Sequence, residues 1–143
     1  MKCKSSKEYT PETFEDKKLY FGSGGGFAGT YTEYLLLENG QFFGRKISTL
    51  KTDNIDWQEF DPIPQKQTKE YFETVDELGL KKTTFNTPGN WSYYLKIEDG
   101  EMANKIQWCM EAKPTDDRII SFYESLVDHT KELPPFKAKD PVR

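Results

Sequence analysis

Trp91-Ser-Tyr-Tyr-Leu-Lys-Ile-Glu-Asp-Gly-Glu-Met-Ala-Asn-Lys-Ile-Gln-Trp108 alternates apolar and polar residues on both sides of the dipeptide Asp99-Gly100. Alternation with period two around a turn dipeptide is the signature of an antiparallel hairpin with one dry face and one wet face. With Asp99-Gly100 as a two-residue turn, Ile97 stands beside Met102, Leu95 beside Asn104, Tyr93 beside Ile106 and Trp91 beside Trp108, all on one face. The other face carries Ser92, Lys96, Glu98, Ala103, Lys105 and Gln107. Asn104, the misfit on the apolar face, reads as a satisfied or rim side chain.

Upstream, residues 30–47 repeat the pattern around Asn39-Gly40. A two-residue turn there puts Leu35, Leu37 and Phe42 on one side and Leu36 and Phe43 on the other, so this hairpin is expected to be central or covered on both faces. The run Leu19-Tyr20-Phe21 adds a short N-terminal strand. A helix is predicted from Gln65 to Leu78, after Pro62 and Pro64, with Tyr71, Phe72, Val75 and Leu78 as its apolar stripe and Gly79 just past its end. A second helix starts at Thr115 or Asp116 as N-cap, buries Ile119, Phe122 or Tyr123, Leu126 and Val127, and carries His129 and Lys131 near its negative pole. The resulting fold class is α+β: an antiparallel sheet of four or five strands, made of two hairpins plus the N-terminal strand, with two helices on one face.

A chain of 143 residues has the size of one domain, and its 15% aromatic content supplies a core without disulfides or metal. Residues 1–16 lack apolar periodicity and read as a flexible polar leader. Residues 17–133 form the single domain, and 134–143, after Leu133-Pro134-Pro135, form an extended tail. Twenty basic and twenty-four acidic residues are mixed along the chain, net charge -4, so no phosphate-binding stripe is built and nucleic acid is not an expected partner. Cys3 and Cys109 are too few and too isolated for a zinc site. No apolar run approaches a membrane span, and the chain reads as soluble.

The most conspicuous motif is Gly22-Ser-Gly-Gly-Gly-Phe-Ala-Gly29, in which Gly24, Gly26 and Gly29 satisfy G-x-G-x-x-G. A dinucleotide site of that kind needs a helix next, whereas Thr30-Tyr31-Thr32-Glu33-Tyr34 is β-branched and aromatic, so the glycines are expected to join two strands. Two readings stay open: a connection where backbone packs closely, or an exposed loop whose N–H groups and Phe27 meet a ligand or partner. The loop Phe85-Asn-Thr-Pro-Gly-Asn-Trp91 lies before the second hairpin. With the glycines it frames the expected recognition residues Gly24, Gly25, Gly26, Phe27, Asn90 and Trp91.

Catalytic signals are weak. Ser23 lacks a G-x-S-x-G context and an identifiable base, and His129 reads as a helix-terminal residue favoured by the dipole. Asp53, Asp56, Glu59 and Asp61 crowd a stretch read as a solvated acidic loop, without EF-hand spacing, in which Trp57 and Phe60 anchor to the core. No catalytic residue, metal or cofactor is assigned.

The stretches Tyr20-Phe-Gly-Ser-Gly-Gly-Gly-Phe-Ala-Gly29, Tyr34-Leu-Leu-Leu-Glu-Asn-Gly40 and Phe85-Asn-Thr-Pro-Gly-Asn90 resemble small uncharacterised lipoproteins of Bacteroidota, over most of residues 18 to 130. The resemblance implies no activity or cofactor. It implies lipidation at Cys3, with the polar residues that follow as a tether. Only Met1 and Lys2 precede Cys3 here, so that modification requires a signal peptide upstream of this sequence. The expected function is a non-catalytic binding or structural domain of the cell envelope. It has an unknown protein or small-molecule partner and touches the membrane only through lipid at Cys3. The alternatives are an intracellular inhibitor or immunity-type binder and an enzyme with an unrecognised site.

Overall fold

The computed structural model describes residues 8–26, 29–48 and 54–137. In chain order the elements are β1 (Lys18–Gly25), β2 (Thr30–Leu37), β3 (Phe42–Ser48), β4 (Ile55–Phe60), α1 (Gln65–Glu77), β5 (Trp91–Asp99), β6 (Met102–Cys109) and α2 (Asp117–Thr130). They form a six-stranded sheet of order β4-β3-β2-β1-β5-β6 in which every pair is antiparallel. The α+β class holds, and the sheet has one strand more than expected. The addition is β4, which contains Asp56 and Glu59 of the stretch read as an acidic loop; Asp53 lies outside the described residues. Its strand character follows from Trp57 and Phe60, which turn to opposite faces, Phe60 into the main core and Trp57 against the smaller cluster on the other side.

Both hairpin registers differ from the two-residue expectation. In the β5–β6 pair Asp99 faces Met102, so Gly100-Glu101 is the turn, and Ile97 faces Asn104, Leu95 faces Ile106 and Tyr93 faces Trp108. Gly100 takes the first central position, the place a type II′ turn reserves for glycine. A slip of two residues leaves each side chain on its expected face.

In the β2–β3 pair Leu36 faces Phe42 and Leu35 faces Phe43. The Leu37 N–H donates to Gln41 C=O and the Gly40 N–H to Leu37 C=O, which closes a three-residue loop with Gly40 at φ +99°. That loop is one residue longer than a I′ turn, so Phe42 and Phe43 exchange faces. Phe42 joins Leu36 in the helix-covered core, and Phe43 joins Leu35 and Leu37 on the other side.

Both helices cover one face. Tyr71, Phe72 and Val75 of α1 and Ile119, Phe122, Tyr123 and Leu126 of α2 belong to one cluster with Leu19, Phe21, Leu95 and Ile106 from the sheet. Helix α1 ends in a Schellman motif: the Leu80 N–H reaches Val75 C=O and the Gly79 N–H reaches Asp76 C=O. Asn104 on β6 donates to the Leu80 and Thr83 carbonyls at 2.6 and 2.8 Å, which satisfies it and ties the hairpin to the chain leaving α1. Helix α2 is capped by Asp116, whose carboxylate accepts from the Arg118 N–H.

On the opposite face the segment read as a leader packs over a smaller cluster. Phe14 is 5% exposed and packs with Tyr20, Leu35, Leu37 and Phe43, while the Tyr9 N–H donates to Gln41 Oε1 at 2.9 Å and Gln41 Nε2 donates back to Tyr9 C=O. Residues 9–14 are thus part of the folded body. At the other terminus Phe136 lies against Phe60 and Tyr34, and the Lys137 N–H donates to Gln58 Oε1, so the start of the expected tail is docked.

Candidate functional site

Most of the expected recognition residues meet at one end of the sheet. The register pairs Gly24 with Tyr31 and Ser92, and Gly25 with Thr30 and Trp91; the Gly26 N–H donates to Asn90 C=O at 2.9 Å. Gly24 and Gly25 lie within β1, where a side chain would collide with Thr30 and Tyr31 or with Asn90, so their bareness serves close backbone packing. Gly26 faces open space. Phe27 and Cys3 lie outside the described residues.

The same end holds the large hydrophobic side chains that stand exposed among the described residues, Trp91 at 48% and Met110 at 59%. Trp91 opens β5 two residues before Tyr93, and Met110 follows Cys109 in the turn closed by the Ala112 N–H on Cys109 C=O, so both stand at the same end of the β5–β6 hairpin. Beside them β5, β6 and α2 enclose a cavity of about 190 Å³. Its wall is aromatic: Tyr93 stacks on Trp108 at 6.2 Å, and Tyr123 meets both edge-on at 5.8 and 5.2 Å. Met110 and Ile120 complete the apolar lining, and Lys113 and Glu124 supply its charges. The Tyr123 hydroxyl donates across the core to Gly22 C=O at 3.1 Å, and burial pushes its pKa up to about 12. A larger cavity of about 620 Å³ beside α1 is lined by charges of both signs, including the Lys17–Glu38 pair, with Phe72 as its one aromatic side chain.

A second constellation, absent from the sequence reading, crosses the face away from the helices. Glu33 is 6% exposed, and its carboxylate accepts from Arg45 Nε at 2.8 Å, Arg45 Nη2 at 2.7 Å and the Tyr94 hydroxyl at 2.8 Å. Glu33 and Tyr94 belong to β2 and β5, on either side of Gly22 in β1, and the bare glycine lets the hydroxyl reach across. Arg45 lies 4.3 Å over the Trp57 ring, Lys105 4.4 Å over Tyr94 and Lys96 4.9 Å over Tyr20, whose hydroxyl donates to Glu98. Burial, reinforced by the neighbouring carboxylate, raises the pKa of Tyr94 and of Tyr20. These groups satisfy one another, and the arrangement acts as a clamp across four strands. The legible signal was the phase of Gly22 with Glu33 and Tyr94, which appears only once the strand order is known.

His129 and Ser23 are not brought together. The His129 ring packs edge-on against Phe42 at 5.5 Å, and Ser23 lies on β1, paired with Thr32 and Tyr93. Among the described residues no group of three His, Cys, Asp or Glu is placed to hold a metal ion, and no helix is long and apolar enough to cross a membrane. No protein-family model matches the chain, and no curated protein matches it.

Proposed function

We propose that this chain is a non-catalytic binding or structural domain of a bacterial cell envelope, held to the membrane by lipid on Cys3 and meeting its partner at the Trp91–Met110 end. The observation that carries the reading is the polarity of the molecule. The described chain begins beside the β2–β3 turn, with Tyr9 bonded to Gln41, while Trp91, Met110 and the aromatic cavity lie at the far end of β1. Eight strand residues separate the two ends by roughly 23 Å. A chain tethered through its N-terminal residues enters the fold at the end opposite the recognition surface, which favours a surface turned away from the membrane. Exposed Trp and Met beside an aromatic cavity have the character of an interface centre.

The test is mass spectrometry of the native protein in the membrane fraction, where a lipid-modified Cys3 at the N-terminus is expected. An unmodified Met1 or Lys2 there removes the anchor and leaves the intracellular binder. Screening for hydrolase and nucleotide-binding activity with Ser23→Ala and His129→Ala as controls addresses the enzyme class, and turnover lost in either variant overturns the non-catalytic reading.

A further inference from the structure

We propose that the partner met at the Trp91–Met110 end is a second copy of this chain, joined in a two-fold dimer. The inference rests on the reading of that end as the binding surface and names its occupant. A two-fold interface sets one patch against itself, so every feature must find its complement within the same patch. Trp91 and Met110 protrude, 48% and 59% exposed. The neighbouring cavity of about 190 Å³ receives one side chain. It is too small for a whole small-molecule ligand, whose pockets run roughly 300–1,000 Å³. Knob and hole thus lie side by side.

The charges follow the same rule. Lys113 and Glu124 line the cavity with opposite sign and both are exposed; Glu124 also feels the charge of Lys131, which is itself paired with Asp128. Across a two-fold axis Lys113 of one copy faces Glu124 of the other, twice. Strand addition does not compete at this place. Although β6 is an edge strand, the Thr87 N–H donates to Gln107 C=O at 2.8 Å and the Gln107 N–H donates to Phe85 C=O at 3.1 Å, so the outward backbone of Gln107 is already paired. Side chains must make the contact. The N-terminal segment, at the opposite end, stays outside it.

Sedimentation equilibrium of the full chain tests the proposal. Wild type is expected to sediment as a dimer at micromolar concentration, and Trp91→Ser and Met110→Ser each to weaken it about tenfold. Lys113→Glu and Glu124→Lys, taken singly, set like charges together and shift the chain to monomer by a similar factor. The double variant restores opposite pairs in reverse and with them the dimer. All four positions are at the surface, and circular dichroism checks that each variant folds. A monomeric wild type, a dimer indifferent to these substitutions, or a double variant that stays monomeric overturns the proposal. A monomer that binds a different, purified protein through Trp91 would overturn the dimer and leave the broader reading of that end standing.

Discussion

A carboxylate removed from water costs several kilocalories per mole unless its charge and lone pairs are answered, and Glu33 is answered from both sides, by Arg45 and by the Tyr94 hydroxyl. Replacing Tyr94 with Phe removes one donor to a buried anion and keeps the ring. We expect a loss of about 1.5–3 kcal/mol in chemical denaturation, and a loss under ~0.5 kcal/mol would mean that water replaces the hydroxyl freely. Gly22→Ala attacks the same bond from beneath. Its Cβ would stand 2.6 Å from the Thr32 carbonyl oxygen and 2.7 Å from the Tyr94 hydroxyl, so Tyr94 must withdraw from Glu33. That variant is expected to lose more than Tyr94→Phe, because the Thr32 carbonyl and the Tyr94 ring carbon Cζ, which Phe retains, must give way as well as the hydroxyl. Nothing in the local sequence announces this contact between β2 and β5. Glycines score poorly as strand formers, and Gly22–Gly25 read as a connection. In the folded chain neighbouring tyrosine rings lie over the bare strand, which overrides the local preference.

Among elements, those with strong local periodicity were legible and those stabilised by distant partners were not. Helix α2 and its Asp116 cap were anticipated, as were both hairpins, because each is defined by residues close in sequence. Their registers were not, since one extra residue in the Asn39-Gly40 loop decides which face receives Phe42, and turn dipeptides alone do not count loop residues. Strand β4 was missed because Asp56, Gln58 and Glu59 mask its two aromatic anchors. The N-terminal segment was missed for the opposite reason: a single buried ring carries it. Phe14→Ala tests that assignment. A ring 5% exposed within a small cluster is expected to contribute about 3 kcal/mol, the low end for Phe→Ala, because the segment can settle toward the sheet. A change below ~1 kcal/mol in urea denaturation would return residues 9–14 to the status of a leader.

At the scale of the whole molecule, the candidate site depends on sheet order. The glycine stretch and Asn90-Trp91 were expected to frame one surface, and β1 beside β5 brings them together. Met110, Lys113, Ile120, Tyr123 and Glu124 join them only because β6 forms the edge and α2 covers it, which no local pattern announces. The same order gathers three buried tyrosines around β1: Tyr20 on it, Tyr94 reaching across Gly22 on one face, and the Tyr123 hydroxyl on the Gly22 carbonyl from the other. All three have raised pKa values, first through burial, and Tyr20 and Tyr94 also through the carboxylates they bond. The sign follows directly. An unfolded tyrosine releases its proton near pH ~10, while these stay protonated in the fold, so above that pH the unfolded chain binds fewer protons and gains stability relative to the fold. Their contribution is intact below pH ~10 and is lost as pH rises toward the folded values, about 12 for Tyr123 and higher for the other two. Each tyrosine steepens the loss by up to ~1.4 kcal/mol per pH unit, Tyr20 over a narrower pH range, because water screens its carboxylate partner. Lys81, whose pKa Asp99 holds up, acts in the same direction. Against a total stability of roughly 5–15 kcal/mol, the sheet is expected to unfold cooperatively within two or three pH units above ~10, with phenolate absorbance rising in the same transition. Tyr94→Phe and Tyr123→Phe should each flatten the dependence of stability on pH in that range, whatever they do to stability at neutral pH. Slopes unchanged in both variants would show that alkaline unfolding is driven elsewhere and that β1 is not the strand on which the two faces jointly depend.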